Sequence, residues 1–453
     1  MPINRRSFLT GALLPFSAGA GAVLASAAAE AAPARAGTSL IPDSGRDMSR
    51  ELQRLIDDQA ARGRPVLLPP GRVIAGNLRI PAGLQLVGMP GRSVLEWSGR
   101  GSFLTIFNAH DVRISGITFD GRHAPMDGGN AEPYPGLVRA VGAKRLRIEH
   151  CRITNSAANG VTLEKCSGSL VYNRIDNAIK AGIFAQNSTG LEISHNELHD
   201  IANNAIQVWR SAAGEDGTLV TGNRIRKVAS MDGGNGQNGN GINIFRAGNV
   251  NITDNRITDC AFSAVRVNAG NQCHITNNSC SRLGEVAIFV EFGYLGAVVS
   301  QNSVEHAAIG ISITNMDVGG RLAVCQGNLV RELFYRGKRT DPESGGIGIA
   351  AEADVAITGN TIEGAPRAGL LLGWGPYMKN LNASSNNLSR CGTGIAATVV
   401  PRAGKAIIAN NIISGAKHAA IRGMKWLKPA TGDLLKSGTK RPANLFLSGN
   451  ISA

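Results

Sequence analysis

The sequence predicts an all-β protein, a parallel β-solenoid with a helix at its amino-terminal end, and three observations lead to this fold class. A phrase ending in Asn-x-[Ile/Leu/Val] recurs along most of the chain, at spacings that start at 22 and 23 residues. A second phrase, a small residue followed by alternating apolar positions, precedes most copies of the first. Two β-like phrases per period indicate one turn of a solenoid, because helical repeats are longer and need a 3.6-residue periodicity.

The repeating unit is clearest at 241–257, GINIFRAGNVNITDNRI. Ile242 and Ile244 alternate with other residues, and a Gly-Asn turn leads into a second apolar run ending at Ile257. Neither strand could bury its apolar face alone, so the units are expected to stack. One Asn per period is then expected to form an internal ladder of amide hydrogen bonds. The predicted ladder residues are Asn173, Asn196, Asn223, Asn255, Asn278, Asn302, Asn328, Asn360, Asn387, Asn411 and Asn450.

Known families share both the repeats and the start of the chain. The stacked Asn-x-Ile phrases resemble the right-handed parallel β-helix proteins of the pectate-lyase-like superfamily. Residues 4–9, Asn-Arg-Arg-Ser-Phe-Leu, resemble a twin-arginine export signal, and an apolar run follows them. Signal and coils together resemble a family of Tat-translocated repeat proteins of undefined function. This resemblance implies recognition by the Tat export machinery and a periplasmic or secreted location, but it implies no catalytic residue.

Four segments are expected along the chain. Residues 1–36 are the twin-arginine signal peptide, 37–65 the amino-terminal cap with its helix, 66–423 the parallel β-helix, and 424–453 a carboxy-terminal cover with a last strand. In the cap, Asp47 is placed to begin a helix whose apolar face includes Leu52 and Ile56. The helix, strand and Pro-Pro-Gly that follow one another here resemble the amino-terminal cap of pectate-lyase-like β-helices. Such a helix would cover the apolar end of a solenoid.

The net charge of the chain limits the classes of partner that it can be expected to bind. The formal net charge is +14, which in an exported protein favours an acidic polysaccharide or another anionic envelope component over nucleic acid. A merely soluble basic surface is the alternative. The seven cysteines show no Cys-x-x-Cys pair and no ligand-like spacing with His, so they are predicted to be buried small hydrophobes. After the signal, no segment is apolar for long enough to predict a transmembrane helix.

Three insertions, 120–135, 228–240 and 334–346, interrupt the even period at the same phase. They are therefore expected to leave the same corner of the rod and to line one wall. Two of them share the pentapeptide Met-Asp-Gly-Gly-Asn, at 126–130 and 231–235. These residues suit a Ca²⁺ loop and equally an ordinary tight turn, so calcium stays an open possibility. No metal ligand and no other cofactor is assigned.

The strand opened by the Gly-Ile phrase carries the most informative chemistry. Its apolar residues point inward, so the alternate ones face outward, where rings are mixed with amide and guanidinium groups. Rings can stack on pyranose faces, and planar donors can bind hydroxyls and uronate carboxylates. The alternative is that these rings pack beneath the inserted loops and bind nothing. The predicted substrate-binding residues are Gln207, Trp209, Arg210, Asn243, Phe245 and Asn268.

Two reaction types suit the superfamily that the repeats resemble. Inverting hydrolysis needs two carboxyl groups about 6.5–9.5 Å apart, and Glu164 and Glu291 are expected on coils too far apart for that. β-Elimination needs a base and a cation that stabilises the developing charge. Arg266, with Arg246 and Glu291 on neighbouring coils, is the hypothesised catalytic set. The favoured interpretation is a protein that binds an acidic polysaccharide and cleaves or epimerises it; the alternative is a non-catalytic envelope or polysaccharide-binding structural solenoid.

Overall fold

The computed structural model describes residues 40–99, 102–126, 134–234, 236–335 and 345–453. Within these ranges three sheets of 15 strands each run side by side, and every coil of the chain adds one strand to each sheet in turn. All neighbouring strands are parallel except the last pair of the third sheet. This architecture confirms the predicted solenoid. The twin-arginine motif and the rest of 1–39 lie outside the described residues.

Sheet 1 is built mostly from strands of three or four residues, whose alternate side chains point into the core. Its strands are Val66–Leu67, Gln85–Val87, Arg113–Ser115, Leu146–Glu149, Gly168–Val171, Leu191–Ser194, Leu219–Thr221, Asn251–Thr253, Cys273–Thr276, Leu295–Ser300, Arg321–Gln326, Val355–Thr358, Leu381–Ser384, Ala406–Ala409 and Leu445–Ser448.

Sheet 2 follows sheet 1 in every coil, and the Asn-x-Ile phrase leads into its strands. These strands are Gly71–Ala75, Ser93–Trp97, Thr118–Asp120, Arg152–Ser156, Arg174–Ala178, Glu197–Ile201, Arg224–Val228, Arg256–Cys260, Ser279–Leu283, Ser303–Glu305, Leu329–Arg331, Thr361–Glu363, Asn387–Ser389, Ile412–Ser414 and Ile451–Ser452.

Sheet 3 contains the Gly-Ile phrases, and several of its strands are buried on both faces. Its strands are Leu78–Ile80, Leu104–Phe107, Gly136–Val141, Asn159–Glu164, Ala181–Gln186, Asn204–Glu215, Ile242–Gly248, Val265–Asn268, Val286–Glu291, Ile309–Ile313, Ile347–Ala351, Ala368–Leu372, Thr393–Thr398, Ala419–Lys425 and the antiparallel Lys428–Asp433.

A continuous ladder of buried Asn side chains follows the corner between sheets 1 and 2. Asn255 is representative, because its Oδ1 accepts the backbone N–H of Asn223 at 3.0 Å and its Nδ2 donates to Asn278 Oδ1 at 3.0 Å. The same Nδ2 donates to the Val220 carbonyl at 3.0 Å. The ladder begins where the N–H of Cys151 donates to an Asn side chain. Each coil is thus joined to the next through amides that water does not reach.

One predicted member of the ladder is wrong by a single residue. Asn386, not Asn387, occupies the ladder: its Oδ1 accepts the N–H of Asn360 at 3.0 Å, and its Nδ2 donates to Asn411 Oδ1 at 2.9 Å. Asn387 begins the following strand and is exposed. The phrase itself fits Asn386, since Leu388 lies two residues after it, whereas Ser389 lies two residues after Asn387. The pairing of strands likewise allows only Asn386 to point inward.

The two ends of the solenoid differ. At the amino-terminal end a helix, Ser49–Ala61, buries Leu52 and Ile56 in the core, and an Asp47 side-chain oxygen accepts the N–H of Ser49 at 2.9 Å. At the carboxy-terminal end the last two strands of sheet 3 form an antiparallel hairpin, while sheets 1 and 2 each gain one more parallel strand. The 3₁₀ helices are Met316–Val318 and Gly375–Tyr377.

All seven cysteines are buried, as predicted, and none of them forms a disulfide, a point on which the sequence made no prediction. Cys280 stacks directly on Ile257 of the preceding coil, which confirms its interpretation as a small core residue. Burial raises the pKa of the Cys280 and Cys325 thiols to about 12, so neither is available as a thiolate at neutral pH. In the part of the chain that the structure describes, no helix has the length and apolar character needed to cross a bilayer.

Candidate functional site

The three insertions do leave the same corner of the solenoid. Each connects a strand of sheet 2 with the next strand of sheet 3, between Asp120 and Gly136, between Val228 and Ile242, and between Arg331 and Ile347. Successive insertions are four coils apart, or about 20 Å at roughly 4.8 Å per coil. All three insertions therefore begin and end beside the outward face of sheet 3.

The shared pentapeptide shows no metal site in the residues that can be followed. Asp232 of the second copy accepts two hydrogen bonds from Lys180 Nζ, at 2.7 and 2.9 Å, so an ammonium group already neutralises this carboxylate. Residues 127–130 of the first copy and residue 235 of the second lie outside the described residues. Elsewhere among those described, no group of three or more His, Cys, Asp or Glu is arranged to hold an ion.

The outward side chains of sheet 3 form two rows in register, which confirms the stacking expected from the sequence. In one row, here called the inner row, strand pairing places Phe184 next to Gln207, then Asn243, Arg266 and Phe289. The second, outer row runs through Gln186, Trp209, Phe245, Asn268 and Glu291 on the same coils.

The two rows differ in exposure. In the inner row Gln207 and Arg266 are each 8% exposed and Asn243 is 4% exposed, because the second insertion folds over them. The Gln237 carbonyl of that insertion lies 3.5 Å from Asn243 Nδ2, and Gly236 lies so close to Arg266 that any added Cβ would collide with its guanidinium. A ligand on this face therefore meets mainly the half-buried members of the outer row, Gln186, Trp209, Phe245 and Asn268, since Glu291 is buried.

Trp209 lies in a cleft of about 280 Å³ between the ends of the first two insertions, here called the Trp209 cleft. Sheet 3 forms its floor, and the inserted loops form its sides. Its lining residues are Tyr134, Pro135, Ala157, Ala158, Asn159, Lys180, Ala181, Phe184, Asn203, Gln207, Trp209, Asp232 and Asn238. Of the predicted substrate-binding residues, the structure places Gln207 and Trp209 in this cleft.

Four aromatic rings cross the cleft in a chain. Tyr134 of the first insertion packs on Phe184 with ring centroids 4.8 Å apart, and Phe184 meets the edge of Trp209 at 5.5 Å. Trp209 in turn meets Phe245 at 5.8 Å. Because the Trp209 Nε1 donates to Asn243 Oδ1 at 2.8 Å, the indole is fixed in orientation while remaining partly exposed.

Most amides around the cleft are already hydrogen-bonded, but one is not. The Asn203 side chain donates to the Ile179 carbonyl and accepts the N–H of Asp232, both at 2.9 Å. The Gln207 carboxamide, by contrast, makes no hydrogen bond within the described residues, and its amide atoms stay accessible from the cleft that the side chain lines. An accessible amide can exchange hydrogen bonds with water or with a bound ligand. Gln207 therefore has hydrogen-bonding capacity directed at the cleft.

A bulge lies on the opposite side of the outer row, and no turn signal in the sequence predicted it. The strand pairing shifts register between Trp209 and Gly214, which makes a bulge. Within the bulge the Ser211 carbonyl accepts a hydrogen bond from Arg246 at 2.8 Å, and Arg210 lies 3.8 Å from Asp216. The Arg246 guanidinium also lies over the Phe245 ring at 4.7 Å. Arg210 and Arg246 thus border the outer row rather than the Trp209 cleft.

Two of the three hypothesised catalytic residues contact each other directly. Arg266 donates to the Glu291 carboxylate through Nε at 2.5 Å and Nη2 at 3.0 Å, and Asn268 adds a third hydrogen bond at 3.1 Å. Glu291 is only 1% exposed. Arg246 contacts Phe245 and Ser211 instead. The guanidinium edge and the carboxylate that catalysis would use are therefore engaged in a buried ion pair.

A second carboxyl group, which the sequence did not single out, adjoins this pair. Glu285 Oε2 lies 3.7 Å from Arg266 Nη1 and has no hydrogen-bond partner. Burial raises the pKa of Glu285 to about 7, although the nearby Arg266 opposes the shift. The site thus contains a carboxyl group that changes protonation near neutral pH.

Glu285 makes stability pH-dependent in a definite direction. The pKa of Glu285 is about 7 in the folded chain and ordinarily 4.5, so folding favours its protonated form. The resulting stabilisation of the fold is complete below pH 4.5 and is lost as the pH rises through 7. A shift of this size corresponds to about 3 kcal/mol. Urea unfolding of the wild type and of Glu285→Gln should therefore show the wild type losing about that much relative to the variant between pH 4 and pH 8. Parallel pH profiles for the two proteins would contradict this assignment.

Solved structures that resemble this chain include two polysaccharide-acting proteins and an adhesin. An alginate lyase, AlyF-OU02, solved with G6, is 13% identical with a TM-score of 0.50, and the match covers 76% of this chain and 83% of that one. The A-module of mannuronan C-5 epimerase AlgE6 of Azotobacter vinelandii is 14% identical with a TM-score of 0.43 and coverages of 92% and 98%. PfbA, a surface adhesin of Streptococcus pneumoniae, is 15% identical with a TM-score of 0.44 and coverages of 91% and 98%.

The family comparison agrees with the fold. The family described as the right handed beta helix region matches residues 94–225, 170–319 and 212–377, which overlap to span 94–377 and thus more than half of the chain. The stacked coils, the Asn ladder and this match lead to one conclusion: the chain belongs to the right-handed β-helix family.

Proposed function

We propose that this protein binds an acidic polysaccharide, with one sugar unit seated in the Trp209 cleft and the chain continuing over the outer row. The observation that carries the proposal is the unused Gln207 carboxamide beside the partly exposed Trp209 indole. An indole supplies a stacking surface for a pyranose ring, and a free amide can exchange hydrogen bonds with sugar hydroxyls. Polysaccharide binding needs this combination of groups.

Positive charge at the edges of the face supports an acidic sugar. Arg246 borders the outer row with its side chain exposed and has no carboxylate partner among the described residues, whereas Lys180 at the rim of the cleft is paired with Asp232. Arg246 can approach a uronate carboxylate directly, and the formal charge of +14 favours anionic partners generally. Because an alginate lyase shares this fold, uronate polymers are the first ligands to test. We also propose export to the periplasm or the exterior, on the basis of the twin-arginine motif.

Trp209→Ala is expected to weaken binding of alginate or polygalacturonate about 10- to 100-fold, the range that loss of a central aromatic contact typically gives. Isothermal titration calorimetry with oligosaccharides would measure the change. Phe446→Ala is a matched control, because Phe446 is a 53% exposed aromatic residue on sheet 1, away from the outward face of sheet 3. Equal affinities for the wild type and Trp209→Ala would reject the cleft as the binding site.

A lyase or epimerase acting on the bound polymer is the second candidate function. Arg266, Glu291 and the nearby Glu285 favour it, because they combine a cation with a carboxyl group that can exchange a proton near neutral pH. For Arg266 and Glu291 to act as hypothesised, the substrate would have to open their ion pair. Incubation with uronate polymers, followed by the ultraviolet absorbance of an unsaturated product or by a change in uronate stereochemistry, tests this activity.

A further inference from the structure

The outward face of sheet 2 carries a column of arginines, here called the arginine file, that the proposed function does not use. Strand pairing places Arg152 next to Arg174, and Arg224 next to Arg256, with Glu197 between the two pairs. Arg226 lies on the same face in the adjacent row. Among the described residues, five guanidinium groups thus meet three carboxylates on this face, those of Glu197, Asp176 and Asp120.

Asp176 fixes the first two arginines in place. Its carboxylate is 1% exposed and accepts hydrogen bonds from Arg152 at 3.1 and 3.2 Å and from Arg174 at 3.4 Å. Burial alone would raise the pKa of Asp176, but the hydrogen bonds from Arg152 and Thr154 outweigh it and hold the pKa below its ordinary value. Arg152 and Arg174 still expose about half of their side chains. They are therefore ordered without being covered.

The other arginines have little to neutralise them. Arg226 pairs with Glu197 at 3.6 Å. Arg224 and Arg256 are exposed, and neither has an ion-pair or hydrogen-bond partner within the ranges that the structure describes. These two side chains are the most available cations of the file.

A stack of aromatic rings runs beside the arginines. His150, Tyr172 and His195 each come two residues before an outward position of the file, in the left-handed conformation with φ of 52°, 58° and 56°. The His150 and Tyr172 rings are stacked at 5.3 Å, and the Tyr172 and His195 rings at 5.1 Å. Tyr172 is 54% exposed. A column of exposed rings thus follows the solenoid axis next to a column of cations.

We propose that this face is a second binding surface, for a linear anionic polysaccharide that lies along the solenoid axis. The surface is defined by Arg152, Arg174, Arg224, Arg226 and Arg256, together with the ring stack of His150, Tyr172 and His195. Within each pair, Arg152 with Arg174 and Arg224 with Arg256, the cations are one coil apart, or roughly 4.8 Å, which is close to the length of one sugar unit. A polymer with one carboxylate per sugar can therefore place two successive charges on each pair, with one sugar over the Glu197 coil between the pairs. The rings beside them provide stacking surfaces for the sugars.

A polysaccharide is favoured over a lipid surface by the shape of the face. Its outward positions from Arg152 to Arg256 are polar or charged, so no aliphatic side chain is placed to enter a bilayer. The cations form a file along one direction, which matches a chain rather than a plane of headgroups.

The test uses the full chain carrying Trp209→Ala, so that the cleft does not contribute. In this background, Arg224→Gln with Arg256→Gln is expected to weaken binding of polygalacturonate about 10-fold, and Tyr172→Ala should weaken it further. Arg46→Gln with Arg92→Gln removes the same charge from exposed arginines elsewhere and should leave binding nearly unchanged. Loss of affinity with added salt should accompany binding.

Three outcomes would overturn the proposal. Equal weakening by the two double variants would show that only net charge matters. Unchanged binding in Arg224→Gln with Arg256→Gln would place the polymer elsewhere. A loss of binding to anionic phospholipid vesicles in that double variant, with polygalacturonate binding retained, would assign the face to membranes. Because the background lacks Trp209, failure here is distinct from failure of the Trp209 cleft.

Discussion

Asn386→Ala is expected to lower the free energy of unfolding by about 3–5 kcal/mol. The Asn386 Oδ1 accepts hydrogen bonds from both the N–H and the Nδ2 of Asn360, at 3.0 and 2.9 Å, and its Nδ2 donates to the Ile357 carbonyl and to Asn411 Oδ1 at 3.0 and 2.9 Å. Alanine would leave these buried groups without partners, and each such group costs about 1–3 kcal/mol. The losses are not additive, because coils can relax and admit water.

Asn387→Ala is the matched control for this prediction. Asn387 belongs to the same phrase, but it is exposed and makes no side-chain hydrogen bond within the described ranges. Its replacement should change stability by no more than about 0.5 kcal/mol, as is usual at such surface positions. Urea unfolding followed by circular dichroism compares the two variants directly. If both shift the unfolding curve equally, the ladder does not have the energetic role assigned to it.

Arg266→Ala is expected to destabilise the fold by about 3–5 kcal/mol, because it would leave the buried Glu291 carboxylate without its cation. The Arg266 and Glu291 side chains are 9% and 2% exposed, so water cannot readily replace the lost partner. Thermal or urea unfolding would measure the loss. This expectation differs from the one that follows from a purely catalytic Arg266, whose removal would spare the fold.

A double variant separates structure from catalysis at this pair. Arg266→Met with Glu291→Leu removes both charges, and such replacements of buried ion pairs are often neutral or stabilising. Stability should therefore recover much of what Arg266→Ala loses. If the double variant folds and still turns over a uronate polymer, the catalytic hypothesis for Arg266 and Glu291 is rejected. If Arg266→Ala proves as stable as the wild type, the ion pair does not stabilise the fold.

The sequence was sufficient to predict the features that follow from periodicity. A repeat near 22 residues with apolar residues at alternate positions fixes which side chains enter the core, so the two rows on sheet 3 could be placed in register. The same argument put the three insertions at one corner, because they occur at one phase of the repeat. The error at Asn387 occurred where two Asn residues are adjacent, and the phrase Asn-x-Leu, applied strictly, selects Asn386.

Features that depend on contacts between coils could not be predicted in the same way. The burial of Asn243 and Arg266 results from a loop packing on them through Gln237 and Gly236, and nothing in the strand pattern encodes that contact. The bulge after Trp209 lacks a recognisable turn signal. The arginine file did have a signal, since the middle position of the Asn-x-Ile phrase points outward and is Arg in several coils, as at Arg174, Arg224 and Arg256.

The seven buried thiols have a mechanical consequence. Since no cysteine is cross-linked, no disulfide joins one coil to another, and apart from the backbone each coil is held only by the neighbours above and below it. A weak coil in the middle would therefore divide the rod into two parts that unravel at different temperatures, instead of lowering one common melting point.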